Sequence, residues 1–146
     1  MSRSGYDDYD GDETYPFELY RQAVDNALFG KRGQAFLREM RDAFDALPRK
    51  ELIASMMEVE GAVCAIGAVG KARGVDMTEL NGMAEYDDSM ELGPAVAKQF
   101  GIAKSMAREI MYENDENGPW RVKETPEDRY VRMRAWVELN IIKDDE

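Results

Sequence analysis

Apolar residues in this chain recur at steps of three and four, and glycine or proline interrupts each run. That pattern commits most of the sequence to short helices packed on one another. Phe17, Tyr20, Val24, Ala27 and Leu28 form the first run, with Thr14 and Pro16 at its start and Gly30 at its end. The second run carries Phe36, Leu37, Met40, Phe44 and Leu47 on one face, with Arg38, Glu39, Arg41, Asp42 and Asp45 mostly opposite, and Pro48 stops it. The short Gly30-Lys31-Arg32-Gly33 turn between them predicts an antiparallel helical hairpin. A short helix over 94–100 faces Val96, Ala97 and Phe100 inward, and Gly101 separates it from a helix over 102–112 built on Ile102, Met106, Ile110 and Met111. The last helix has the plainest start: Thr125 as cap, Pro126 in the first turn, then Glu127 and Asp128 where acids favour a helix N-terminus. Its apolar members are Tyr130, Met133, Trp136, Val137 and Ile141, and Arg129, Arg132 and Arg134 are expected mainly in solvent.

Residues 50–74 are less decided. Leu52, Ile53, Met56 and Met57 suit either a short helix or one strand of a hairpin that turns at Glu60-Gly61. Ala65 to Arg73 reads as a helix rich in small residues, capped by Gly74, whose Gly70/Gly74 ridge would let another backbone approach closely. Residues 81–90 and 114–119 read as polar, acidic loops. The expected fold class is mainly α: one domain of five or six helices over 15–142, with a small two-stranded hairpin near 51–66 as an option. Residues 1–14 are expected to be a disordered acidic tail, and 143–146 an acidic end.

Charge and two scarcities narrow the function. The chain carries 30 Asp and Glu against 19 Lys and Arg, a net charge of −11. Half of those carboxylates lie in four clusters: Asp7 to Glu13, Glu85 to Glu91, Glu113 to Glu116 and Asp144 to Glu146. A body of this sign repels nucleic-acid phosphates, so no direct nucleic-acid binding is expected, and the fitting partners are proteins with basic surfaces. Histidine is absent and Cys64 is the lone cysteine. Ser-His-Asp and Cys-His catalysis, His-based metal sites, zinc sites of several Cys or His ligands and an internal disulfide are therefore excluded. The expectation is a protein that is not an enzyme, with no cofactor and no bound metal. No apolar run approaches the roughly 18 residues of a membrane span, and the acidic start does not resemble a signal peptide, so a cytoplasmic protein is expected.

Several short motifs fail on inspection. Gly67-Ala68-Val69-Gly70-Lys71-Ala72 has Ala65 where a phosphate loop needs its first glycine, and Ala72 where it needs a hydroxyl. Aligning Gly11 with the glycine of a calcium loop puts Tyr6 and Phe17 at ligand positions. Gly30 to Gly33 reads as a solvated basic turn rather than an anion site. The Glu113-Asn114-Asp115-Glu116 run reads as solvated loop at a helix end. Cys64, flanked by Val63, Ala65 and Ile66, reads as a small buried apolar residue, and the ten methionines mainly as packing.

Val63-Cys64-Ala65-Ile66-Gly67-Ala68, Phe100-Gly101-Ile102, Glu113-Asn114-Asp115-Glu116, Arg32 to Glu39 and Thr125-Pro126-Glu127-Asp128-Arg129 together form a pattern. It resembles a loose group of small phage and prophage accessory proteins, in which a Cys-x-x-Gly segment precedes a helix ending in Asn-Asp-Glu and a Thr-Pro-Glu-capped last helix. The resemblance covers roughly residues 15–142 and implies a genomic setting in which small acidic proteins often inhibit restriction or CRISPR complexes. The expected function is a non-enzymatic inhibitor or nucleic-acid mimic that covers a basic, nucleic-acid-binding surface of a host protein. Asp87, Asp88, Glu91, Asp115 and Glu116 are the expected acidic patch, with Tyr86 and Trp120 as apolar anchors. The alternative is an assembly module that dimerises through an apolar helix face such as the Gly70/Gly74 ridge.

Overall fold

Gln34 shows how the helices are tied. In a computed structural model that describes residues 3–4, 14–85, 89–119 and 123–143, its buried amide donates to the Leu28 and Asn140 carbonyls at 2.8 and 2.9 Å. Its oxygen accepts the Ile142 N–H at 2.8 Å. One side chain thus joins α1 (Thr14–Phe29), α2 (Lys31–Ala46) and the end of α7 (Pro126–Asn140). Between them lie β1 (Glu58–Val59), β2 (Ala62–Val63), α3 (Ala65–Arg73), α4 (Thr78–Glu85), α5 (Ser89–Phe100) and α6 (Lys104–Asp115). The chain is a single mainly α domain, with seven helices among the described residues and one small hairpin. No helix of the described residues is long and apolar enough to cross a membrane.

The hairpin resolves the undecided stretch. β1 and β2 are antiparallel, pairing Glu58 with Val63 and Val59 with Ala62. The turn residues Glu60 and Gly61 have φ of 51° and 87°, the positive pair that matches a tight turn to strand twist. Leu52 and Met57 are fully buried before it without belonging to a helix or strand.

Two other expectations change. Of residues 81–90, read as loop, 81–85 complete α4 and 89–90 begin α5; Asp76 Oδ1 accepts the Thr78 N–H at 3.0 Å to start α4, and Leu80 anchors it in the core. Asn81 then clamps α4 to β1, accepting the Met57 and Glu58 N–H groups and donating to the Glu58 carbonyl. The Gly70/Gly74 ridge is not open for a partner at Gly70, where a Cβ would lie 2.5 Å from Met77 Sδ of the same chain. Gly74, with φ of 74°, caps α3 as expected. Phe44, Leu37, Met40, Ile66, Met106, Ile110, Met111 and Met133 fill the core, so six of the ten methionines (Met40, Met57, Met77, Met106, Met111 and Met133) are packing residues.

Candidate functional site

At the end of α6, Glu113, Asn114 and the Asp115 carboxylate turn inward, while Glu116 stays exposed. Asn114 is fully buried. Its Oδ1 accepts the Ala65 N–H at 3.0 Å, and its Nδ2 donates to the Ile53 carbonyl at 2.9 Å and to Asp115 Oδ1 at 2.8 Å. One amide therefore joins the start of α3, the segment before the hairpin and the next carboxylate. Two arginines of α7 hold the same turn from outside. Arg129 donates to the Asn114 and Leu52 carbonyls, and Arg132 to the Glu113 and Asn114 carbonyls, with Glu124 pairing both guanidinium groups. These cations satisfy carbonyls that a helix end leaves open. The side chains of Arg129 and Arg132 are 11% and 22% exposed, so the expectation that they mainly face solvent is corrected.

Asp115, held this way, receives Arg3. The Arg3 Nε and Nη2 donate to the two carboxylate oxygens at 2.6 and 3.0 Å, a two-pronged pairing. Arg3 Nη1 points at Met57 Sδ (3.4 Å) and Cys64 Sγ (3.6 Å). The side chains of Arg3 and Asp115 are 3% and 7% exposed. Ser4, fully buried, donates its hydroxyl to Glu116 at 2.9 Å. Ser55 completes the seat, donating its N–H to Asp115 Oδ1 at 3.1 Å from a backbone with φ of 72°. A non-glycine residue in that region is strained by roughly 1 kcal/mol or more, and the N–H it aims at the carboxylate offsets this.

Electrostatics follow the geometry. Burial alone would raise the Asp115 carboxyl, but the Arg3 charge, with the Arg3, Asn114 and Ser55 hydrogen bonds, holds it below the usual range. Burial opposes the Arg3 cation too, and Cys64 and Asp115 together outweigh it, so the guanidinium lies above its ordinary value. Neighbouring Glu113, 8% exposed, is pushed up by burial, with Glu109 one turn back adding to the rise. The arrangement can do one thing well: fix a planar cation between a pre-positioned carboxylate and a sulfur-lined floor. Cys64 is fully buried beneath it and accepts the Gly67 N–H at 3.3 Å as the cap of α3.

The residues expected to bind a partner divide. Tyr86, Asp87, Asp88 and Trp120 lie outside the described residues. Glu91 is exposed on α5, and Glu116 is exposed while accepting Ser4. Asp115 is not a surface residue, which corrects its place in an open patch: a buried cation occupies both its oxygens. Of the tail expected over 1–14, residues 1–2 and 5–13 lie outside the described residues; Arg3 and Ser4 are buried in the body, and Thr14 begins α1. Arg3, Ser4, Asn114 and Cys64 were missed as site residues. The available signal was Arg3 itself, the one base within an otherwise acidic first stretch. No protein-family model, curated protein or solved structure matches the chain.

Proposed function

We propose that this chain is a non-enzymatic accessory protein of the phage and prophage type. It acts by covering a basic, nucleic-acid-binding surface of a host protein, as an inhibitor of a defence complex such as a restriction or CRISPR system. The observation that supports the reading is the charge imbalance, 30 Asp and Glu against 19 Lys and Arg, with half of the carboxylates in four clusters. Among the described residues Glu60, Glu79, Glu85, Glu91, Glu127 and Asp128 are exposed, alongside the exposed bases Lys31, Arg32, Arg49, Lys50, Lys71, Lys98, Lys104 and Lys123. A net charge of −11 steers association with basic surfaces and makes it salt-sensitive. Affinity purification from a host bacterial lysate, eluted with a salt gradient, should recover a nucleic-acid-binding protein at moderate salt. The Asp87→Lys, Asp88→Lys, Glu91→Lys triple variant should lose it at least tenfold, and undiminished capture would sink the reading.

A second reading is self-association, and the apolar face that favours it lies on α7. Val131, Ala135 and Leu139 stand four residues apart, and Val131 and Leu139 are 67% and 83% exposed. Such spacing places them on one side of the helix. A dimer by sedimentation that persists in high salt and dissociates in Leu139→Glu would select this reading.

A further inference from the structure

We propose that the Arg3 seat is a recognition site for an arginine side chain of the basic partner, and that Arg3 and Ser4 are its resident intramolecular occupants. The inference rests on the reading that the partner is a basic protein. The seat is built for a guanidinium and not for any cation. Asp115 presents two oxygens to Nε and Nη2, and the third nitrogen lies on Met57 Sδ and Cys64 Sγ. A lysine ammonium is a single point charge and can match neither the fork nor the soft floor. Glu116 adds a condition on the next residue, since it accepts a small hydroxyl from Ser4. Around these contacts the carboxylate is fixed before any ligand arrives, by Asn114 Nδ2 and by the strained Ser55 N–H. Pre-fixed acceptors lower the ordering cost of binding.

Arg3 makes its described contacts through its guanidinium, so an arginine on another chain can repeat them. An occupant that belongs to the same chain competes intramolecularly. The seat therefore discriminates: a partner enters only if its remaining contacts outweigh that advantage. Cys64 beneath the seat reports occupancy, because a thiol that is fully buried under Arg3 becomes reachable when the seat is empty.

The probe is a fluorescein-labelled Ser-Arg-Ser-Gly peptide. The full-length chain carrying Arg3→Ala should bind it, and saturating peptide should slow maleimide labelling of Cys64 at least tenfold. Binding to the wild-type chain should be at least tenfold weaker, because Arg3 competes. A Ser-Lys-Ser-Gly peptide, or Asp115→Asn added to Arg3→Ala, should each cost a further tenfold or more. A folded Arg3→Ala chain that neither binds the peptide nor is protected by it overturns the proposal. Where Arg3→Ala does not fold, the wild type decides: excess unlabelled peptide must erase the NMR resonance of the seated Arg3 Nε–H, and a resonance that persists overturns the proposal. A wild-type dimer that Arg3→Ala converts to monomer assigns the seat to a second copy, and also overturns it. Host protein captured equally by the wild type and Asp115→Asn refutes the seat and leaves the function standing. Peptide binding without capture of any basic protein refutes the function and leaves the seat.

Discussion

Replacing Asn114 by alanine isolates the joint on which the site hangs. The amide is fully buried and makes three hydrogen bonds of 2.8 to 3.0 Å, to Ala65, Ile53 and Asp115. Alanine strands the Ala65 N–H, one of the open donors at the start of α3, and the Ile53 carbonyl. Each buried group left without a partner costs about 1–3 kcal/mol. Two such groups and the small void give an expected loss of about 3–5 kcal/mol, against a total of about 5–15 kcal/mol for an ordinary domain. Urea unfolding followed by circular dichroism should show the midpoint fall with the slope unchanged, since the surface exposed on unfolding is the same. Asn114→Asp separates the contributions. It keeps the acceptor for Ala65, removes both donors and places a second carboxylate beside Asp115. Its loss at pH 7 should match or exceed that of alanine and shrink as the pH falls and the new carboxyl takes a proton. A loss below about 1 kcal/mol for Asn114→Ala would refute the claim that this amide joins the segments, because a single unsatisfied buried group already costs that much.

Two further substitutions test packing and burial. A Cβ on Gly67 would lie 2.0 Å from the Met57 carbonyl oxygen, so Gly67→Ala must push α3 from the hairpin and should cost at least about 1–3 kcal/mol. Gly82 in α4 has nothing within 4 Å of such a Cβ, so Gly82→Ala should gain about 0.5–1 kcal/mol; thermal melts shifting in the same direction for both would defeat the packing argument. Glu113→Gln tests the raised carboxyl. The folded state penalises its charged form, so wild-type stability falls as pH rises from the ordinary value of 4.5 through the raised one. Glutamine should therefore stabilise the protein at pH 7 and lose most of that advantage below pH 4.5, and an equal difference in urea midpoint at both pH values would contradict the sign.

The helices α1, α2, α6 and α7 were legible because each carries a long apolar stripe with a clear stop or cap. Thr125 accepts the Asp128 N–H at 3.1 Å, as its position predicts. The hairpin turn at Glu60 and Gly61 was legible from the glycine, although the strands are too short for periodicity to reveal. α4 was hidden because Glu79, Asn81, Gly82 and Glu85 dilute a stripe carried by Leu80, Met83 and Ala84 alone; the Asp76 start signal was there to be used. The site was hidden for a different reason. Whether a carboxylate faces water or a buried cation depends on a partner that can lie anywhere in the chain, and for Asp115 that partner is 112 residues away. Local pattern has no access to such a pairing, nor to the carbonyl contacts that draw Arg129 and Arg132 onto the turn.

The carboxylate clusters and the Arg3 seat place different demands on the sequence. The proposed steering of a basic partner depends on how many carboxylates the chain carries and roughly where, so Glu79, Glu85 and Glu91 could be permuted with little change in the field. The seat tolerates no such exchange. Asp115 needs Asn114 before it to reach Ala65 and Ile53. Met57 reaches the Arg3 nitrogen while its carbonyl crowds Gly67, where any Cβ would collide. Cys64 must be small, cap α3 and offer its sulfur to the cation at once. The Cys-x-x-Gly and Asn-Asp-Glu segments, far apart in sequence, are two halves of this one structure. A chain that keeps the charge but scrambles these neighbours should still attract basic surfaces in low salt, and should lose the preference for arginine over lysine.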